Sequence, residues 1–179
     1  MQESAVAEGA HTLTKNLHIR RIGPADDAAM ADVIRTVMTE FGACGEGYSI
    51  NDAEVDHMYE AYAGTHAGYF VVVTDGDRVV GGGGVAPLEG ADNRAGNNVC
   101  ELKKMYFLPE ARGVGVGRVM LQRCLDLARA LGFRQCYLET LGSMRQAQRL
   151  YERAGFRRID GPMGDTGHHR CDVWYLLDL

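Results

Sequence analysis

The passage Tyr106-Phe-Leu-Pro-Glu-Ala-Arg-Gly-Val-Gly-Val-Gly-Arg118 constrains the fold more than any other stretch of this chain. An extended apolar segment runs through a glycine loop into a segment with helical periodicity. There Arg118, Gln122, Asp126 and Arg129 recur at spacings of four, four and three, a polar stripe bordered by Arg123 on an otherwise mainly apolar helix. Gly132 ends that helix as a C-cap, and residues 136–140 (Cys-Tyr-Leu-Glu-Thr) read as the next strand. Strand, helix and strand in this order predict a β-α-β crossover. Gly113, Gly115 and Gly117 remove side chains where the helix begins, which opens its unpaired amides to an anion. Arg112 and Arg118 bracket Val114, Val116 and the glycines with positive charge. The loop reads as a pyrophosphate cradle.

Other glycine loops fit less well. The dinucleotide fingerprint needs G-x-G-x-x-G, whereas the spacing here is G-x-G-x-G directly after an arginine. The nucleoside-triphosphatase loop needs a Lys-Ser/Thr pair that is missing. A flexible turn before a helix is the plain alternative for the loop taken alone.

The remaining pattern supplies the rest of a mixed sheet. Residues 1–17 lack periodicity and read as a flexible tail. A strand is predicted over 18–22, and a helix from Pro24, with acids in its first turn, to about Glu40. A glycine-rich loop over 42–48 leads to a second helix predicted over 51–63. Strands follow over 69–74 and 78–87, joined by Asp75-Gly76-Asp77, a hairpin signal. Gly81 to Gly84 either weaken pairing there or admit a close approach to the backbone. A loop over 90–98 and a strand over 99–108 precede the glycine loop. A short helix over 144–154 and strands near 156–159 and 172–177 close the chain. The order predicts an α+β fold: a mixed, mostly antiparallel sheet with one crossover and helices on both faces, in a single domain over 18–179.

Composition limits the function classes. A chain of 179 residues with a net charge of -5 disfavours a nucleic-acid coat. No apolar run reaches the length of a membrane span and no secretory signal opens the chain, so no membrane partner is expected. Cys44, Cys100, Cys124, Cys136 and Cys171 are scattered and odd in number, as expected of reduced thiols in a cytoplasmic protein.

With these motifs in place, the chain resembles the GNAT superfamily of acetyl-CoA-dependent N-acetyltransferases over residues 18–179. Arg112-Gly-Val-Gly-Val-Gly117 matches the family's cofactor motif. Ala147-Gln-Arg-Leu-Tyr-Glu-Arg-Ala-Gly-Phe156 matches a second motif complete. The resemblance implies acetyl-CoA as co-substrate, held in a V-shaped slot between the strand before the loop and the strand after the helix. Pantetheine would lie there as a substitute strand along Met105, Tyr106 and Phe107, with amides of Met105 and Phe107 serving it and the thioester carbonyl. It implies Glu101 as the base that takes the amine proton; the other reading is a carboxylate paired with Lys103 or Lys104. It implies Tyr151 as the acid that protonates the departing thiolate. Met144 stands where the family often has an asparagine, which implies one cofactor hydrogen bond fewer.

The acceptor side carries no readable code. Glu46 and Tyr48 in the loop between the first helices, and His168 near the end, are candidate contacts to a cationic amine. Their other reading is an exposed connector and a polar loop. Adjacent His168 and His169 point opposite ways on an extended segment, and no second ligand pair follows at zinc spacing, so no metal is expected. The expectation is direct acetyl transfer to a small-molecule amine or amino acid in a ternary complex. A protein N-acetyltransferase and a non-catalytic acetyl-CoA-binding regulatory domain are the alternatives. Relatives often dimerise through terminal strands, so a homodimer is open.

Overall fold

The computed structural model describes residues 16–91 and 98–179. Most of the tail expected over residues 1–17, and most of the loop expected over 90–98, lie outside the described residues. Leu17, expected in the tail, instead opens the first strand.

Seven strands form one sheet in the order β1-β2-β3-β4-β5-β7-β6. They are β1 (Leu17–Arg21), β2 (Gly68–Thr74), β3 (Val79–Pro87), β4 (Val99–Phe107), β5 (Gln135–Thr140), β6 (Arg157–Ile159) and β7 (Val173–Asp178). Every neighbouring pair is antiparallel except β4 and β5, the strands joined by the crossover helix. The expected mixed, mostly antiparallel sheet is therefore the sheet observed.

Helices cover both faces because the β-strands alternate apolar residues to both. On one face α3 (Val116–Ala130) and α4 (Arg145–Arg153) bury Met120, Leu121, Cys124 and Tyr151 against Phe70, Leu102 and Leu138. On the other, α1 (Asp27–Glu40) buries Met30, Ile34 and Val37 against Tyr69, Val71 and Val73. The polar stripe of α3 faces outward, where Gln122 and Arg129 both donate to Asp126 at 2.8 and 3.2 Å.

The Gly81 to Gly84 run remains paired with both neighbouring strands. A Cβ on Gly82 would meet Tyr69 at 2.7 Å and the Met30 sulfur at 2.8 Å on the α1 face. One on Gly83 would meet Met105 at 2.9 Å and Met120 at 3.2 Å on the α3 face. Close approach, rather than weakened pairing, explains these glycines.

The helix expected over 51–63 is broken. Short 3-10 turns at Ser49–Asn51 and Ala53–Asp56 precede a single helical turn, α2 (Met58–Ala61). Asp52 between them is extended, with ψ 135°. Its carboxylate and that of Glu54 reach across to lysines on β4, and this tertiary pull overrides local helical preference.

Candidate active site

β4 and β5 pair over only three residues, Val99 to Glu101 against Gln135 to Tyr137. Beyond Glu101 the register lapses while both strands continue. The gap they leave opens into a cleft of about 550 Å³. Its walls include Met105, Tyr106 and Phe107 from β4, Gly113, Gly115, Val116, Gly117 and Arg118 from the loop and α3, and Arg145 and Ala147 from α4.

At the cradle, Gly113 and Gly115 adopt left-handed φ of 75° and 85°, with open space where a Cβ would stand. Conformation rather than crowding requires glycine at both. Gly115 caps α3, and the first residues of that helix, Val116, Gly117 and Arg118, line the cleft. Val114 leaves the loop to pack on the core. The two bracketing arginines differ. Arg112 Nε donates to the Phe107 carbonyl at 2.8 Å, and its guanidinium makes a bidentate pair with Glu40 at 2.7 Å. It is a strut whose charge is already matched. Arg118 makes no ion pair among the described residues, and neither does Arg145, a cleft cation that sequence reasoning missed.

β4 carries a bulge. Gly82 pairs with Tyr106 and Gly84 with Lys103, two steps on β3 against three on β4. Lys104 takes φ 50° at this point, and its carbonyl accepts the Tyr69 hydroxyl at 2.6 Å. The extra residue breaks strand alternation. Glu101 and Met105, four apart, are expected on one face by simple counting. Met105 instead packs into the α3 core, while Glu101 lies on the opposite side with Glu139 and His168. The bulge also brings both Lys103 and Lys104 onto Glu54, at 3.0 and 2.8 Å. The side chain of Lys104 is 1 % exposed and pairs with Asp52 as well. Both lysines are thus engaged by Glu54 and Asp52, not by Glu101 as the alternative reading of that carboxylate has it.

Around them lies a buried charge network. His168 Nε2 contacts both Asp52 oxygens, at 3.0 and 3.2 Å, and its Nδ1 stands 3.4 Å from Glu139 Oε2. Although burial alone would lower it, hydrogen bonding to Asp52 and the neighbouring carboxylates carry the His168 pKa up to about 9. Glu101 is 5 % exposed, and burial pushes its carboxyl up to about 7 despite Lys103, His168 and Lys104. Glu101, Glu139 and His168 bring one ligand-type atom each within 4.8 Å of one another. Two carboxylates and an imidazole at this spacing can exchange protons or accept N–H donors.

A second cavity of about 60 Å³ adjoins the cleft and shares Met105, Tyr106, Met144 and Ala147 with it. Ser49, Lys104, Glu139 and Tyr151 also line it. Tyr151 packs on Phe156 and Tyr175, and burial drives its phenol far above the usual range, so it stays protonated. Its hydroxyl makes no hydrogen bond among the described residues. Tyr106 is half-buried, and its hydroxyl meets that of Ser49 at 3.1 Å.

Of the three candidate acceptor residues, His168 alone joins this network. Glu46 is exposed, Tyr48 packs at the edge of the α1 core, and neither lines either of these two cavities. Their loop is tied to the His168 loop by the Arg170 amide, which donates to the Gly47 carbonyl at 3.3 Å. Asp52, Lys104 and Glu139 escaped sequence reasoning. A carboxylate at position 139, in a strand otherwise of buried type, was the available signal for the last.

Comparison with known proteins places this geometry. A sequence model of the acetyltransferase (GNAT) family matches residues 33–156. The chain is 42 % identical over 162 residues, 90 % of its length and 94 % of the relative's, to YjgM of Escherichia coli (strain K12), described as an uncharacterized N-acetyltransferase. Among solved structures, a GNAT-family acetyltransferase from Staphylococcus aureus Mu50 is similar with a TM-score of 0.77 at 18 % identity, covering 90 % of this chain and 98 % of that one. A phosphinothricin acetyltransferase from Sinorhizobium meliloti, solved in complex with AcCoA, is similar with a TM-score of 0.72 at 23 % identity, covering 92 % and 89 %. By family match and by relative, this chain is a member of the acetyltransferase (GNAT) family, and an acyltransferase.

Proposed function

We propose that this chain is an N-acetyltransferase that moves an acetyl group from acetyl-CoA to a primary amine, by direct transfer in a ternary complex. The observation that carries the reading is the parting of β4 and β5 beyond Glu101. It opens a cleft at the glycine cradle, and it begins at Glu101, the last β4 residue paired with β5, a buried carboxyl whose pKa sits near neutrality. The cradle fits a pyrophosphate: glycines free of side chains, a helix start, and Arg118 and Arg145 with unmatched charge. The complex with AcCoA in the S. meliloti neighbour supports the same donor.

Bound acetyl-CoA supplies the thioester whose acetyl group is transferred. The chain supplies position and proton management. Amides along Met105 to Phe107 hold the donor as an added strand and meet the negative charge that grows on the acetyl oxygen. Glu101, ionised above about pH 7, takes a proton from the amine, directly or through water. Tyr151, kept protonated by burial, gives a proton to the leaving sulfur. None of these steps requires a metal. The cysteines are free thiols, and Cys100, Cys124 and Cys136 are buried, which supports transfer without an acyl-cysteine and a reducing, cytoplasmic setting.

The test is a panel of primary amines and amino acids with acetyl-CoA, followed by release of free thiol and by mass of the product. Amine-dependent thiol release with intersecting initial-rate lines is expected. Parallel lines would contradict the ternary complex. Tight acetyl-CoA binding with no transfer to any acceptor would leave a non-catalytic binding domain as the reading.

A further inference from the structure

Glu139 has no part in the chemistry just described, yet the fold holds it with care. Its side chain is 3 % exposed. Oε1 accepts from the Tyr137 hydroxyl at 2.7 Å and from Thr166 Oγ1 at 2.9 Å. Tyr137 is itself fixed, since its hydroxyl oxygen accepts from the Met163 amide at 3.1 Å. Oε2, the other oxygen, is buried and has no hydrogen bond among the described residues. His168 Nδ1 at 3.4 Å is near enough for attraction between charges, but not aligned for a hydrogen bond. A buried carboxylate oxygen without a donor is costly. Here the cost is retained at a residue that lines the cavity joined to the cleft.

We propose that Glu139 is the acceptor anchor: its Oε2 takes an N–H of a primary alkylammonium group, and holds that nitrogen beside Glu101. This rests on the acetyl-transfer reading. A primary ammonium has three N–H bonds, enough to donate to Oε2 and to Glu101 together. Met38, Leu141 and Met144 in the same cavity offer apolar contact to an alkyl chain. An α-carboxylate on the acceptor would enter a cavity that Glu139 lines, and Lys104, which lines it too, is already paired with Asp52 and Glu54. The acceptor class is therefore a primary alkylamine without an adjacent carboxylate, whether a free amine or the side chain of a lysine in a peptide.

The test is calorimetric titration of pentylamine into the protein saturated with coenzyme A, a complex that cannot transfer. Glu139→Gln keeps an oxygen for Tyr137 and Thr166 but replaces the free acceptor with a donor. It is expected to weaken pentylamine by at least about tenfold while coenzyme A affinity stays unchanged. If that variant fails to fold, Thr166→Val, which loosens the carboxylate without removing it, is expected to weaken the amine several-fold. Norleucine, which is pentylamine with an α-carboxylate, is expected to bind at least tenfold more weakly. Equal affinity of the Gln variant, or norleucine binding as tightly as pentylamine, overturns the proposal. So does an absence of pentylamine binding to the wild type, even if some other acceptor is acetylated. Pentylamine that binds through Glu139, with no transfer to it or to any amine of the panel, upholds the anchor and removes the acetyl-transfer reading. A lysine peptide that binds more tightly than pentylamine assigns the source to protein; weaker binding assigns it to free amines.

Discussion

A carboxyl group taken out of water holds its proton to higher pH, and Glu101 does so because burial outweighs the cations near it. A base must be ionised to work, so the acid limb of kcat/KM for the amine is expected to rise through about pH 7. Glu101→Gln should lower kcat/KM on the order of 100-fold and abolish that limb. A Gln variant that keeps the limb would assign it to another group. Tyr151 poses the complementary case. Its phenol is buried with no hydrogen bond among the described residues, so Tyr151→Phe should leave the melting temperature within a few degrees of wild type. Its kcat should nevertheless fall at least about tenfold. Turnover unchanged across pH would remove Tyr151 from the acid role.

Larger pieces were legible where local pattern and tertiary demand agree. The strands over 69–74 and 136–140 and the striped helix after the glycine loop lie within a residue or two of the spans their periodicity marks. Reading failed where distant charge decides. Asp52 and Glu54 look like first-turn acids of a helix, but the lysines of β4 hold them and the helix breaks. Those lysines share a side only because of a bulge that strand counting does not reveal, and the same bulge separates Glu101 from Met105. Glu139 takes meaning only once the Tyr137 and Thr166 hydroxyls are seen to occupy one of its oxygens.

The loop carrying His168 is pinned through this network, which has a consequence for stability. His168 binds its proton more tightly folded, at about 9, than unfolded, at about 6.5. The stabilisation is thus fully present below pH 6.5 and is lost as pH rises through 9. A fall in melting temperature on the order of 5 °C across that window is expected by thermal denaturation, and His168→Asn should flatten it. An equally steep fall in the variant would place the titration elsewhere.

Across the molecule, the sheet consists of two unequal blocks, β1-β2-β3-β4 and β5-β7-β6, and each side of their junction carries part of the site. Glu101 and the cradle strand belong to the first block, Glu139 to the second. Within the blocks, β3 with β4 and β5 with β7 are paired over six residues each, but the blocks meet through only three. Such a junction behaves as a seam. Backbone amides of β5, β6 and β7 should exchange with deuterium faster than those of β2 and β3, and bound acetyl-CoA should slow them by bridging the seam. The spacing of the two carboxylates would then depend on how far the seam is closed. Donor binding would draw the acceptor's seat into register before any amine arrives, and ordered binding with the donor first would follow from the sheet itself.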